Sequence, residues 1–369
     1  MPAKDLTRFE TLIREHRSAL HPLFAYVETA AMHGSLSPES YTLFAANIAA
    51  RTMLSLSEIH ACCIQASLDL DPLRTAFSVM TGAEEGGFGK PDRVHTVLMM
   101  NALNYHGQVV FGLPSLDIRY LMALARLLYT SRQYRLLLEV EQSNEGIRER
   151  LQRCGLMDAT ELVHTCRRMA TIAGIELPCD PWDDVDEIER IEQLALDSLI
   201  ISKVLPETID YCLAQLAVLG RTQAGYLQGV GFAHEGLADG MIYKMFRIMF
   251  SQVDRYASRK EFMERVYPYF GAHGNYLDVF NGVAENTDGV EVVHAQRELA
   301  KLAQLDSDSL EAAWIGANDF ADRNVRIWDG ILSAIETAPR PTTALGSMGA
   351  IILPTKCDGR THDYVSTNS

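Results

Sequence analysis

Along the chain, apolar residues recur at intervals of three and four between short clusters of Gly, Pro, Ser and Asp, the period of amphipathic helices rather than of strands. The punctuation places the elements. Gly34 closes a first helix, and Ser37-Pro38-Glu39 supplies an N-cap, a proline at the first helical position and an early carboxylate for a second that runs to about Asp69. Asp71-Pro72 opens the next, ending at Gly86-Gly87, and Pro91 opens another that runs to about His106 before Gly107. Leu-rich amphipathic stretches follow Pro114 as far as Gly155, and a helix is expected from Asp158 to about Gly174. Further helices begin near Pro206, Phe232, Thr287 and Ser307, the last reaching about Glu336, while Ser258 and Glu261 have the spacing of a capping box. No alternating β-branched run bounded by hairpin turns occurs, and no internal repeat. The expected fold class is all-α: one helical bundle domain over 1–338, with a helical insertion at about 114–205 and a flexible tail over 339–369.

With 369 residues, 47% of them hydrophobic, the chain can bury a large core. Its net charge of -15 repels phosphate backbones and anionic lipid, so no nucleic-acid or membrane partner is expected and small molecules or proteins are favoured. The seven cysteines show no CxxC spacing and mostly lie in apolar helical stretches, as buried thiols in a reducing compartment do. The charged, amphipathic N-terminus has no apolar h-region, and no segment approaches the roughly 18 apolar residues of a membrane span, so a cytoplasmic location is expected. The acidic segment DPWDDVDEIERIE lacks the glycine and ligand order of a calcium loop and reads as a solvated linker or helix start. Nucleophile-elbow, phosphate-loop and dinucleotide motifs are absent.

Buried carboxylates and imidazoles are costly unless paired or metal-bound, so polar residues on apolar helix faces are the informative ones. Glu58 has Leu54 one turn before it and Ala61 and Cys62 one turn after. Glu84 and Glu85 end one helix, and the turn after them can fold Glu85 toward His95, which shares a face with Leu98, Met99 and Ala102. Glu235 has Phe232, Ala238 and Ile242 at helical spacing, whereas His234 beside it is less well placed. His273 would sit in an aromatic wall of Tyr269, Phe270, Tyr276 and Phe280 if its helix continues through. Glu291-Val-Val-His294 is an i, i+3 pair of the kind by which one helix offers two metal ligands. Taken singly, each residue has a plain explanation as a cap, a solvated charge or a hydrogen-bonded core side chain. Asp278 lies among Asn275, Asn281 and Gly282, a polar edge, and His294 is followed on its face by Arg297, Glu298 and Lys301, which points it toward water.

The order of these residues resembles the heme-oxygenase-like di-metal oxidases, helical bundles that bind two irons through Glu, Asp and His and activate dioxygen. The match rests on DPLRTAFSVMTGAEEGGFGKPDRVH, with its Asp-Pro-x-x-Arg helix start, Glu pair, glycine-rich turn and His ten residues beyond Glu85. GVGFAHEGLADGMIYKMF is similar to the family's core helix, with Glu235 in the ligand position, and YPYFGAH to the start of its last ligand helix, with His273 first. Glu58 takes the place of the first carboxylate ligand. The family expects an Asp four residues after that His and a second His three further on, where this chain has Leu277 and Phe280. Two completions are open: Asp278 serves, or Glu291 and His294 do. The resemblance implies a site of Glu58, Glu85, His95, Glu235, His273 and one of those completions, holding two Fe(II) per chain with no catalytic side chain beyond the ligands. It further implies oxidation of a small molecule by dioxygen in natural-product biosynthesis, here an aliphatic amino acid by desaturation, cyclisation or related C–H chemistry, in a chain that by default forms a homodimer. Two rivals stand beside it. A ferritin-like di-iron bundle would use Glu161-x-x-His164 and Glu291-x-x-His294 with Glu58 and Glu235. A helical interaction protein would hold no metal.

Overall fold

The N-caps marked by the sequence open helices in the computed structural model, which describes residues 6–143, 146, 159–177, 182, 184–220, 223–274, 276–277 and 290–338. Ser37, Asp71, Ser258 and Asp306 each accept a hydrogen bond from the backbone amide three residues on, and Pro22, Pro38, Pro72 and Pro206 stand at helix starts where a missing N–H costs nothing. The helices are α1 (Thr7–Glu15), α2 (Pro22–Met32), α3 (Pro38–Thr52), α4 (Ser55–Leu68), α5 (Pro72–Glu85), α6 (His95–Phe111), α7 (Ile118–Ser143), α8 (Ala159–Ile172), α9 (Val185–Ile201) and α10 (Pro206–Leu219). They continue with α11 (Ala224–Phe250), α12 (Arg259–Arg265), α13 (Tyr267–His273), α14 (Val290–Leu302) and α15 (Ser307–Thr337). The described regular structure is all helical, without a strand. Residues 1–338 form one compact unit; the tail 339–369 lies outside the described residues.

Helix α11 is the axis of the bundle, in contact with α1, α2, α4, α13, α14 and α15. It starts at Ala224 rather than near Phe232, and the glycines of this earlier stretch admit α15. A Cβ at Gly225 would stand 2.1 Å from the Ser309 carbonyl oxygen, one at Gly229 1.8 Å from that of Ala313, and one at Gly316 2.2 Å from that of Tyr226. The two backbones touch where side chains would hold them apart. Within the segment that the sequence marks as an insertion, α7 packs on α8 and α9, and α7 also meets α3 and α10.

Other boundaries differ from expectation: the stretch that Gly34 closes holds two helices, α1 and α2, rather than one. The helix expected from Pro38 to Asp69 is broken at Met53-Leu54, where Thr52 Oγ1 donates back to the carbonyl of Ile48 and Ser55 Oγ to that of Thr52. Such back-bonding competes with the helical ladder and turns α4 away from α3. Pro91 opens a 3-10 turn, Pro91–Arg93, with α6 starting at His95. That helix passes through Gly107 to Gly112, because His106 is held in the core by Tyr256 Oη at 2.6 Å and Gln252 at 2.9 Å, and Gly107 lets the Tyr41 ring lie against the backbone. Finally, α13 ends at His273 rather than continuing, so Tyr276 and Leu277 are not further turns of the same helix. Of the cysteines, Cys62, Cys166 and Cys212 are buried free thiols and Cys63 is half-buried; Cys154, Cys179 and Cys357 lie outside the described residues. No described helix is long and apolar enough to cross a membrane.

Candidate metal centre

Glu85 is the last residue of α5 and His95 the first of α6, and a glycine turn brings them together. Gly87 has φ +66° and its Cβ would lie 2.5 Å from the Arg93 carbonyl carbon, so only glycine lets the chain double back here. His95 Nδ1 then stands 2.9 Å from Glu85 Oε2. The contact lacks hydrogen-bond geometry, leaving a buried imidazole nitrogen aimed at a carboxylate without a bond to it. From α13, His273 brings its ring centroid to 4.3 Å from that of His95. Its Nδ1 is engaged by the Tyr269 carbonyl oxygen at 2.7 Å, which makes Nε2 the candidate ligand atom.

On the other side of Glu85 stand Glu235 of α11 and His294 of α14. His294 Nδ1 is 2.9 Å from Glu235 Oε2 and 3.8 Å from Glu85 Oε1. His294 Nε2 donates to Glu84 Oε2 at 2.7 Å, and Arg297 in turn pairs with Glu84. The ligand atoms of Glu85, His95 and His273 lie within 4.8 Å of one another, as do those of Glu85, Glu235 and His294. Two three-residue groups thus share one carboxylate.

Burial and neighbouring charges set the charge states of three of these groups. Burial, helped by the neighbouring His95, pushes His273 down to about 4, so it is a neutral donor at pH 7. Burial alone would raise Glu235 and Glu84, but His294 outweighs it at Glu235, and Arg297 with His294 does so at Glu84, holding both carboxyls below their usual range.

Of the residues singled out in the sequence, the structure brings together Glu85, His95, Glu235, His273 and His294. Glu58 is 3% exposed but pairs with His234 Nδ1 at 2.6 Å, its Oε1 has no hydrogen-bond partner among the described residues, and it belongs to neither group. Asp278 lies outside the described residues, and Glu291 is placed on α14 without a described side chain. Two expectations are corrected. His234 is buried, because α11 is surrounded on nearly all sides and adjacent positions both point inward. The face of His294 is turned into the bundle, since Glu298 and Lys301 form a buried ion pair with Gln228 and Ser78 bonded to it. An i, i+3 Glu-Lys pair on a helix otherwise reads as solvated, so only their place one turn beyond a candidate ligand hinted at this. Glu161 and His164, the first pair of the ferritin-like alternative, are exposed on α8.

A cavity of about 40 Å³ adjoins the ligands, bordered by Arg51, Met99, His234, Met241, Ile242 and Tyr269. An open cleft of about 970 Å³ reaches the same place from outside, lined by Glu84, Asn101, Tyr105, Arg265 and Gly271, and His95 borders both. Comparisons of the chain with protein-family models, with curated proteins and with solved structures return no match.

Proposed function

We propose that this chain is a non-heme di-iron oxidase on a heme-oxygenase-like helical bundle, using dioxygen to oxidise an aliphatic amino acid by desaturation, ring closure or related C–H chemistry. The observation that carries the reading is Glu85, which belongs to both three-residue groups, its Oε2 approaching His95 and its Oε1 facing His294. The residues fit such ions: a mixed carboxylate and imidazole set suits Fe(II), and the buried Nδ1 of His95 has no hydrogen-bond partner among the described residues. Two Fe(II) ions, when bound, would supply the electrons that activate dioxygen. Glu85, His95 and His273 would hold one, and Glu85, Glu235 and His294 the other.

The remaining work falls to the chain. The Tyr269 carbonyl and Glu84 fix the ring orientations of His273 and His294, a role that outer partners of metal-bound imidazoles regularly take. Met99, Met241 and Ile242 give the small cavity an apolar part of its wall, and the open cleft gives a small molecule a route to His95.

Anaerobic Fe(II) titration of the metal-free protein tests this, followed by oxygen exposure with a panel of aliphatic amino acids while visible absorption is recorded. Two ions per chain are expected, one in His273→Ala, one in His294→Ala and none in Glu85→Ala, with a transient band that one amino acid triggers. Loss of binding in His164→Ala with His95→Ala silent would move the protein to the ferritin-like class. No binding in the wild type would leave a helical interaction protein.

A further inference from the structure

Arg51, the penultimate residue of α3, is 2% exposed, and a buried guanidinium without an anion is among the costliest arrangements a core can hold. Its Nε donates to Asn324 Oδ1 at 2.9 Å, a neutral acceptor, and the Phe320 ring lies 5.4 Å from its centre. Nη1 has no hydrogen-bond partner and no carboxylate pairs with the guanidinium among the described residues. Glu58 is engaged with His234, and Glu85 and Glu235 are turned toward His95 and His294. Asn324 itself is fixed by donating to the Phe320 carbonyl oxygen at 2.8 Å, so the guanidinium is held in place while its charge is unanswered.

Two voids adjoin it. One, about 10 Å³ beside Lys244 and Trp328, is at the lower limit for a single water. The other is the 40 Å³ cavity at the ligand cluster, which has room for a three-atom carboxylate and is lined, beside the candidate ligands and His234, by apolar Met99, Ala238, Met241 and Ile242 and by the hydroxyl-bearing Thr52, Ser55, Thr96 and Tyr269. A planar fork of the kind that matches a carboxylate thus belongs to a side chain that borders the same small chamber as the candidate metal centre.

We propose that Arg51 anchors a carboxylate group of the substrate in this chamber, so that the molecule oxidised is a short-chain aliphatic carboxylate whose carbon chain runs along Met99, Met241 and Ile242. For the reaction this rests on the di-metal reading; for the binding it does not, because the unanswered charge belongs to the protein alone. The size of the chamber limits the chain to a few carbons, and the two methionines are the walls able to yield for more.

The experiment is calorimetric titration of propionate, with propionamide as its uncharged twin, into the full chain both metal-free and loaded with Co(II). Propionate should bind in both forms, more tightly when the ions offset Glu85 and Glu235, and propionamide should bind at least about thirty-fold more weakly. Arg51→Gln should lose at least about thirty-fold in propionate affinity with its Co(II) stoichiometry unchanged. Arg51→Lys, which keeps the charge without the fork, serves if the first variant does not fold, and should retain part of the affinity. A chain that takes up no Co(II) yet prefers propionate through Arg51 sinks the di-metal reading and supports this one. Equal affinity for the two probes, an unchanged affinity in Arg51→Gln, or no response to propionate in either form of the wild type overturns it.

Discussion

Glu84 separates the two halves of the candidate centre, because it touches His294 and not His95 or His273. Its Oε2 accepts from His294 Nε2 at 2.7 Å, and its Oε1 is 3.2 Å from Arg297 Nη2, so the imidazole tautomer that presents Nδ1 to Glu85 and Glu235 is set from outside. Glu84→Ala removes a charge-assisted hydrogen bond of about 1.5–3 kcal/mol, and loss of such an outer partner weakens a metal site by roughly 10–100-fold. Glu84→Gln keeps an oxygen acceptor while dropping the charge, and should lie near the tenfold end, at about 1.4 kcal/mol. The weakening should fall on one ion. In a two-step Co(II) titration followed by absorption, the step assigned to Glu85, Glu235 and His294 moves to higher concentration, and the step assigned to Glu85, His95 and His273 stays. Arg297 loses its partner in Glu84→Ala and keeps a neutral acceptor in Glu84→Gln; it is partly solvated, and the cost to folding should be about 1 kcal/mol or less. Equal weakening of both steps, or of neither, would refute the idea that Glu84 positions His294 alone.

Other consequences are as direct. Gly229→Ala places a methyl 1.8 Å from the Ala313 carbonyl oxygen and should destabilise by roughly 1–3 kcal/mol or more in urea titration, whereas Gly240→Ala, with nothing within 4 Å, should be neutral or stabilising. Lys301→Met leaves the Glu298 carboxylate, already raised by burial, without its cation, and should cost roughly 3–5 kcal/mol; adding Glu298→Met should recover most of it, and a single variant within about 0.5 kcal/mol of wild type would show that the pair is solvated. His106, pushed down by burial to about 4, gives stability that is complete above its unfolded value near 6.5 and is lost as pH falls toward 4. That interval is worth about 3 kcal/mol, so wild-type stability should fall more steeply than that of His106→Gln between pH 6.5 and 4.5 in denaturant titrations.

What the chain determines by itself is local. Ser37-Pro38, Asp71-Pro72 and Ser258 with Glu261 satisfy amides within a turn of themselves, and their energies do not depend on what packs nearby, so the helix starts were legible. Glu85 and His95 were legible as a pair for the same reason, since the glycine turn between them needs only its own backbone. Elsewhere identical letters took their meaning from distant partners. Gly225 and Gly229 look like helix breakers until Ser309 and Ala313 are set against them, and Glu298, Arg297 and Lys301 look like a solvated face until α11 and α5 cover it. His234 and Glu58, residues of two helices far apart in sequence, became a pair only by tertiary contact. The joining of His294 to Glu235 and Glu85 was decided in the same way, by burial of α14 against α11, because a buried imidazole and carboxylate must answer each other wherever the chain places them.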